Sequence, residues 1–193
     1  VPCLLFSLVA LITRTFSLTS SAAPPLHLRA LLTSATTAST CLSMPCVYDG
    51  LTASLLASSP SPPSLAFLTG FGVAATKGYP DRGLLSLSEM TDAAHTVQDS
   101  ISTVLRNTNG PPIPLMCDGD TGHDGSSASS IRRTIFAFGR ANAAAVMIED
   151  QVHPKRCGHV GGKDVVGFEE VRARQGLKGP IERHKVFDLP CPT

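Results

Sequence analysis

An α/β fold with parallel strands, arranged as an open sheet or a (β/α)8 barrel, follows from three features of this 193-residue chain. Short apolar runs recur with the length and character of strands covered on both faces. Each run stops at a cluster of glycine or acidic residues. Between them lie segments with helical caps and three- to four-residue periodicity, so strand and helix alternate through right-handed crossovers.

The elements follow in order. Cys41–Tyr48 (CLSMPCVY) is the weakest strand and ends at Asp49-Gly50; Leu51–Ser58, rich in Ala and Leu, reads as a helix. Ser64–Thr69 (SLAFLT) is a strand that runs into Gly70-Phe71-Gly72. Ser86–Leu105 opens with the capping-box spacing Ser86-x-x-Glu89 and carries Leu87, Met90, Ala94, Val97, Ile101 and Leu105 at helical steps. Ile113–Cys117 (IPLMC) is a strand ending at Asp118-Gly119-Asp120. Ser127–Arg140 is a helix with Ile131, Ile135 and Phe138 on one face, and Ala143–Ile148 (AAAVMI) is a strand ending at Glu149-Asp150.

Composition narrows the function. With 16 Lys+Arg against 15 Asp+Glu the net charge is +1, which supplies no electrostatic ground for binding nucleic acid or an anionic membrane surface. The apolar run at residues 4–12 is too short to span a bilayer, so no membrane role is expected. The six cysteines form no CxxC pair and read as thiols. From Val1 to Tyr48 there is no Asp or Glu, and Arg14 and Arg29 are the only formal charges. That texture suits an organelle transit peptide, chloroplast or mitochondrial; a secretory signal and translated non-coding sequence are the alternatives, the last leaving a cytoplasmic protein. The chain opens on Val1 and its first methionine is Met44, so a missing native start is expected. The expected plan is a leader over 1–40, a folded unit over 41–174 and a divergent tail over 175–193.

In a barrel the carboxyl ends of all strands open on one face, so Asp49, Thr69 to Gly72, Asp118, Asp120 and Glu149 are expected to converge. Crowded carboxylates raise one another's pKa unless a cation neutralises them. Magnesium suits such a site, since it takes a few carboxylates and keeps waters and open positions. Asp118-Gly119-Asp120 reads equally as a tight turn whose Asp caps the next helix. In the stretch Glu149 to His159, Cys157 is flanked by Lys155, Arg156 and His159, neighbours that favour thiolate and proton transfer. Zinc held by His153, Cys157 and His159, or a merely solvated basic loop, are the competing readings.

Five blocks in one order carry a resemblance. Tyr48-Asp49-Gly50-Leu51-Thr52-Ala53, Thr69-Gly70-Phe71-Gly72-Val73-Ala74-Ala75, Gly78 to Leu85, Asp118-Gly119-Asp120-Thr121-Gly122, and Glu149-Asp150-Gln151 with Lys155-Arg156-Cys157-Gly158-His159 resemble the isocitrate lyase/phosphoenolpyruvate mutase superfamily. They cover roughly residues 41–171. The resemblance implies a (β/α)8 TIM barrel, of which about the first four β/α units are present here. It implies a magnesium-dependent carbon–carbon lyase, manganese being an alternative ion, that works on a small carboxylate through an enolate. Asp118, Asp120 and Glu149 take the metal positions and Asp81 the acidic edge of that site. Thr69, Gly70 and Phe71 take the loop that holds a substrate carboxylate. Lys155 to His159 take the lid, with Cys157 as catalytic acid, Lys155 beside it, and Gly158 and His159 toward substrate.

A lid of the KRCGH type favours lyase action on a methylisocitrate-like 2-hydroxy di- or tricarboxylate. Oxaloacetate hydrolases and carboxyphosphonate mutase-like members share it and stay open. A full-length member is expected to be a homo-oligomer.

The departures are Pro45-Cys46 in place of Pro-Gly, His123-Asp124-Gly125 after the aspartate loop, and Ser58 to Pro63 before the second strand. After Arg174 the resemblance ends, and half a barrel is expected to leave two parallel-sheet edges unpaired. A non-catalytic remnant or partner of a full-length homologue is therefore the second reading.

Overall fold

A computed structural model describes residues 8–13, 24–123, 127–157, 160–167, 169–171 and 187–190, the first and last of these as backbone. The elements are β1 (Leu8–Thr13), α1 (Pro24–Thr37), β2 (Cys46–Val47), α2 (Gly50–Ala57), β3 (Ala66–Leu68), α3 (Gly70–Thr76), α4 (Leu87–Thr108), β4 (Leu115–Asp118), α5 (Ala128–Arg140), β5 (Ala145–Ile148) and β6 (Phe187–Pro190).

The expected alternation is present from β2 to β5. These four strands run parallel in sequence order, with Cys46 opposite Phe67, Ala66 opposite Leu115, and Met116 opposite Ala145. Every residue of β3 and β4 is buried, as strands covered on both faces require. Helices form where the sequence signals them. In α4, Ser86 accepts from the Glu89 N–H while Glu89 accepts from the Ser86 N–H, and Asn109 ends the helix at a left-handed φ of 52°. Ser127 caps α5.

Ser86→Ala is expected to cost about 1 kcal/mol. The Ser86 N–H and hydroxyl hold the Glu89 carboxyl below its ordinary range. A depressed carboxylate contributes stability above its unfolded pKa and loses it as pH falls through the folded value. The Ser86→Ala deficit should therefore shrink between neutral pH and about pH 3, which urea unfolding at the two values measures.

Residue alternation along the strands sorts the core into two faces. Ala66, Leu68, Leu115, Cys117, Val146 and Ile148 pack with α2, α4 and α5, including Ala53, Met90, Val97, Ile131 and Phe138. Leu65, Phe67, Met116, Ala144 and Ala145 face the other way, where Leu28 of α1 covers them. That second face is the one a closed barrel turns inward.

Three findings differ from or exceed the expectation. Gly70–Thr76, which begins at the glycine cluster after the second strand, is a helix, α3, that the sequence signals do not announce. The stretch read as a leader supplies β1 and α1. The edge of β5, expected to lie unpaired, is taken by β1, which runs antiparallel to it with Leu8 opposite Ile148 and Leu11 opposite Ala145; β6 then pairs parallel with β1. A bare row of strand amides and carbonyls accepts whatever extended apolar segment reaches it, whichever way that segment runs.

Candidate metal centre and lid

The same alternation places the site. Asp118, last residue of β4, shares the face of Met116, and Glu149, just beyond β5, shares the face of Ala145 and Met147. Both therefore stand on the inward face at the carboxyl ends of adjacent strands, and Asp120 joins them from the turn after β4. One carboxylate oxygen from each of Asp118, Asp120 and Glu149 lies within 4.8 Å of the others.

Asp49 was expected to converge too and does not join this cluster. It shares the face of Val47, which packs toward the helices, and its Oδ1 accepts from the Thr52 N–H at 2.7 Å to cap α2.

The turn itself fixes the aspartates in place. Asp118 Oδ1 accepts from the Asp120 N–H at 3.0 Å, and its Oδ2 accepts from the Gly70 N–H at 3.1 Å. Asp120 sits at φ 47°, and its carbonyl accepts from the Glu149 N–H at 2.7 Å. The helix-capping reading of this turn fails, because Ser127 caps the next helix. Gly119 has to be glycine: a Cβ there would lie 2.6 Å from Val146 Cγ1 and from Ile148 Cδ1, and 3.0 Å from the Met147 carbonyl oxygen. Gly119→Ala is expected to destabilise the chain by about 1–3 kcal/mol and to weaken magnesium binding in the same sample, as thermal melts with and without the ion would show.

Lys155 is the cation of this centre. Its ammonium lies 2.9 Å from Asp81 Oδ1 and pairs also with Asp120 Oδ1, with the side chain only 5% exposed. Burial opposes its charge, but Asp120 and Asp118 outweigh burial and raise its pKa above the ordinary lysine value. Burial pushes the Asp118 carboxyl above the usual carboxylate range, and the Asp120 charge adds to that. Glu149 is raised as well, mainly by burial, with Lys155 working in the opposite direction. Asp81 thus reaches the edge of the site through Lys155, a contact that spacing alone does not show.

Residues 150–152 pair with residues 164–166, and this pairing forms the base of the loop that carries Lys155 to Cys157. The Val152 N–H donates to the Asp164 carbonyl and the Val166 N–H to the Asp150 carbonyl, both at 2.9 Å, and Gln151 bridges Val165 antiparallel. Lys155 and the half-buried Cys157 lie on this loop. The expected Gly158 and His159 fall outside the described residues. Gln151, within the Glu149-Asp150-Gln151 block, is 2% exposed and fully engaged by Glu149 and Arg156. No signal in the sequence distinguishes its side chain from any other buried amide.

Thr69 opens α3, the Gly70 N–H is committed to Asp118, and Phe71 is 60% exposed. His159 of the competing zinc set falls outside the described residues; among the described residues the group placed to hold a metal is the acidic one, and His153 Nδ1 lies 3.5 Å from the Thr121 hydroxyl. Among the described residues Cys41, Cys46, Cys117 and Cys157 form no disulfide.

Comparison with known proteins bears on the family and the fold. The family model for phosphoenolpyruvate phosphomutase matches residues 30–175. The chain belongs to this family. Within the wider phosphoenolpyruvate mutase/isocitrate lyase superfamily, it is 38% identical over 132 residues to the chloroplastic carboxyvinyl-carboxyphosphonate phosphorylmutase of Arabidopsis thaliana, covering 68% of this chain and 35% of that protein. It is 33% identical over 168 residues to the 2-methylisocitrate lyase of Halalkalibacterium halodurans, covering 76% and 51%. Among solved structures, oxaloacetate acetylhydrolase in complex with 3,3-difluorooxalacetate matches with a TM-score of 0.65 at 31% identity, covering 79% of this chain and 46% of that one. The chain spans about half or less of the length of each. Its parallel sheet is that of the superfamily's TIM barrels, and superfamily members include lyases and mutases. Among the described residues no helix is long and apolar enough to cross a membrane.

Proposed function

We propose that this chain carries the metal-binding part of a magnesium-dependent carbon–carbon lyase for a 2-hydroxy di- or tricarboxylate of the methylisocitrate type. One observation supports this above the others: three carboxylates from the ends of β4 and β5 meet on the inward face, within 4.8 Å of one another. All the donors are hard oxygens. Asp118, Asp120 and Glu149, with Asp81 at the edge, gather four carboxyl groups against the ammonium of Lys155 among the described residues, so the residues fit a divalent cation. Manganese would satisfy the same donors.

When bound, the ion would act as a Lewis acid toward the negative charge that develops when the bond beside a carbonyl breaks. The chain's own residues do the rest. Thr69 and Phe71, at the start of α3, hold a substrate carboxylate through hydroxyl and amide; the Gly70 amide holds Asp118 in place for it. Lys155 anchors the Lys155–Cys157 segment beside the site through Asp81 and Asp120, which excludes water there. As the bond breaks the substrate's 2-hydroxyl becomes a carbonyl and yields its proton to a carboxylate of the site; the bond's electron pair passes to the departing carbon, and the Cys157 thiol supplies the proton that carbon then takes.

The test is turnover by the full chain with isocitrate, methylisocitrate, oxaloacetate and 2,3-dimethylmalate, with and without magnesium. Cys157→Ser is expected to lose at least a hundredfold in kcat with magnesium affinity kept; unchanged turnover in that variant would remove Cys157 from the mechanism.

A second reading, a non-catalytic partner of full-length relatives, has one observation in its favour. The edge of β5, where a (β/α)8 barrel continues with a parallel strand, is occupied by antiparallel β1. Magnesium binding without turnover on any of the four acids is its expected signature. An organelle location is proposed from the acid-free stretch 1–48 and the chloroplastic relative; the location of a reporter fused to residues 1–40 tests it.

A further inference from the structure

Gln151 carries three hydrogen bonds on one buried carboxamide. Its Nε2 donates to Glu149 Oε2 at 2.5 Å and to the Arg156 carbonyl at 3.1 Å, and its Oε1 accepts from the Arg156 N–H at 3.1 Å. The Arg156 N–H belongs to the peptide that joins it to Lys155, and the Arg156 carbonyl to the peptide that joins it to Cys157. One side chain therefore clamps both peptide units between the loop's cation and its thiol, and holds a carboxylate of the acidic cluster with the same nitrogen.

We propose that Gln151 is a positioning residue that couples Glu149 to the Lys155–Cys157 segment, so that the metal end of the site and that segment take up their working arrangement together. This deepens the magnesium-lyase reading and rests on it. The chemistry of the side chain suits the task. A neutral donor orients Glu149 without neutralising it, whereas a cation in its place would compete with the metal and a carboxylate would repel Glu149. The clamp also starts from a rigid base, because the backbone on either side of Gln151 is paired with residues 164–166. Its partners are fully specified, since an amide offers two N–H groups and one carbonyl, and each finds a use here.

The experiment compares the full chain with Gln151→Met, which keeps the length and removes every hydrogen bond, and Gln151→Glu, which keeps the acceptor for the Arg156 N–H but loses both donations. Magnesium chloride alone is titrated by calorimetry, and amide hydrogen exchange is followed across 152–166 and, as an internal reference, across α4. In both variants magnesium affinity is expected to fall by about 10- to 100-fold, the range for loss of a group that orients a metal ligand. In the metal-free Gln151→Met chain, exchange near Lys155 to Cys157 is expected to rise at least tenfold while α4 keeps its protection.

Magnesium affinity within twofold of the unaltered chain in both variants would overturn the proposal. So would a fall in affinity with no change in loop exchange, since Gln151 would then serve Glu149 alone. If Gln151→Met fails to protect α4, Gln151→Glu decides by the same two readouts. A chain that binds no magnesium even when unaltered would count against the proposed function; loop exchange in the variants would still show whether the clamp exists.

Discussion

Lys155→Met is expected to cost the metal-free chain about 3–5 kcal/mol, the range for removing one partner of a buried ion pair. Methionine keeps the apolar stem and removes only the ammonium. What remains is Asp120, 6% exposed, with Asp118 and Glu149 within 4.8 Å and Asp81 at the rim, and no cation among them. The deficit should depend on pH, and its sign follows from the titrations. Lys155 has a folded pKa above its unfolded value, so its contribution is complete below the ordinary lysine pKa and vanishes only in strong alkali. Asp118 and Glu149 also have folded values above their unfolded ones, so the native state holds more protons than the unfolded chain in the window between. Stability accordingly falls as pH rises through that window. Without the ammonium both carboxyls move higher still, so Lys155→Met should look worst at alkaline pH and recover as pH falls and they take up protons. Urea unfolding across that range measures this, and a deficit that ignores pH would contradict the electrostatic account.

Magnesium is expected to raise the melting temperature of the unaltered chain, and Asp118→Asn to abolish that response. At a concentration one hundred times its dissociation constant a ligand specific for the native state adds about 2.7 kcal/mol, which for a chain of this size is roughly 5–10 °C. The shift should grow with pH over the interval in which Asp118 and Glu149 lose their protons, because the ion must displace whatever protons they hold. Asp118 accepts from Gly70 and Asp120 through both oxygens, so an amide in its place turns a donor toward one of these N–H groups. That costs about 1 kcal/mol, against which the variant gains relief from carboxylate crowding. The metal-free melting point should therefore move little while the magnesium response disappears. A magnesium shift of wild-type size in Asp118→Asn would break the link between these carboxylates and the ion. Magnesium should also narrow the gap between Lys155→Met and the unaltered chain, since both cations neutralise the same cluster.

Much of this centre can be read without coordinates, and the reason is local. An apolar run that ends in an acid announces a buried strand and a polar tip, and parallel topology sends successive tips to one end. The capping spacings of Ser86 and Glu89 place a helix to within a residue, because the hydrogen bonds that make it lie within one turn. Asp49 shows where such reading stops. Its position at a strand end looks like that of Asp118, yet a two-residue strand leaves it on the opposite face, and it caps a helix instead. The Lys155 ion pairs span 74 residues to Asp81 and 35 to Asp120, and no pattern in the intervening chain encodes them.

The order of strands and helices, the caps, and the acids at the ends of β4 and β5 were decided by the amino-acid sequence itself, since each rests on periodicity or on bonds between near neighbours. Tertiary structure alone decided which acids share a face, where the ammonium of Lys155 goes, how Gln151 joins Glu149 to Arg156, and that β1 lies against β5. Those outcomes depend on burial and on distances between segments far apart in the chain, where the cost of an unpaired charge or an open sheet edge selects a partner that local preference cannot name.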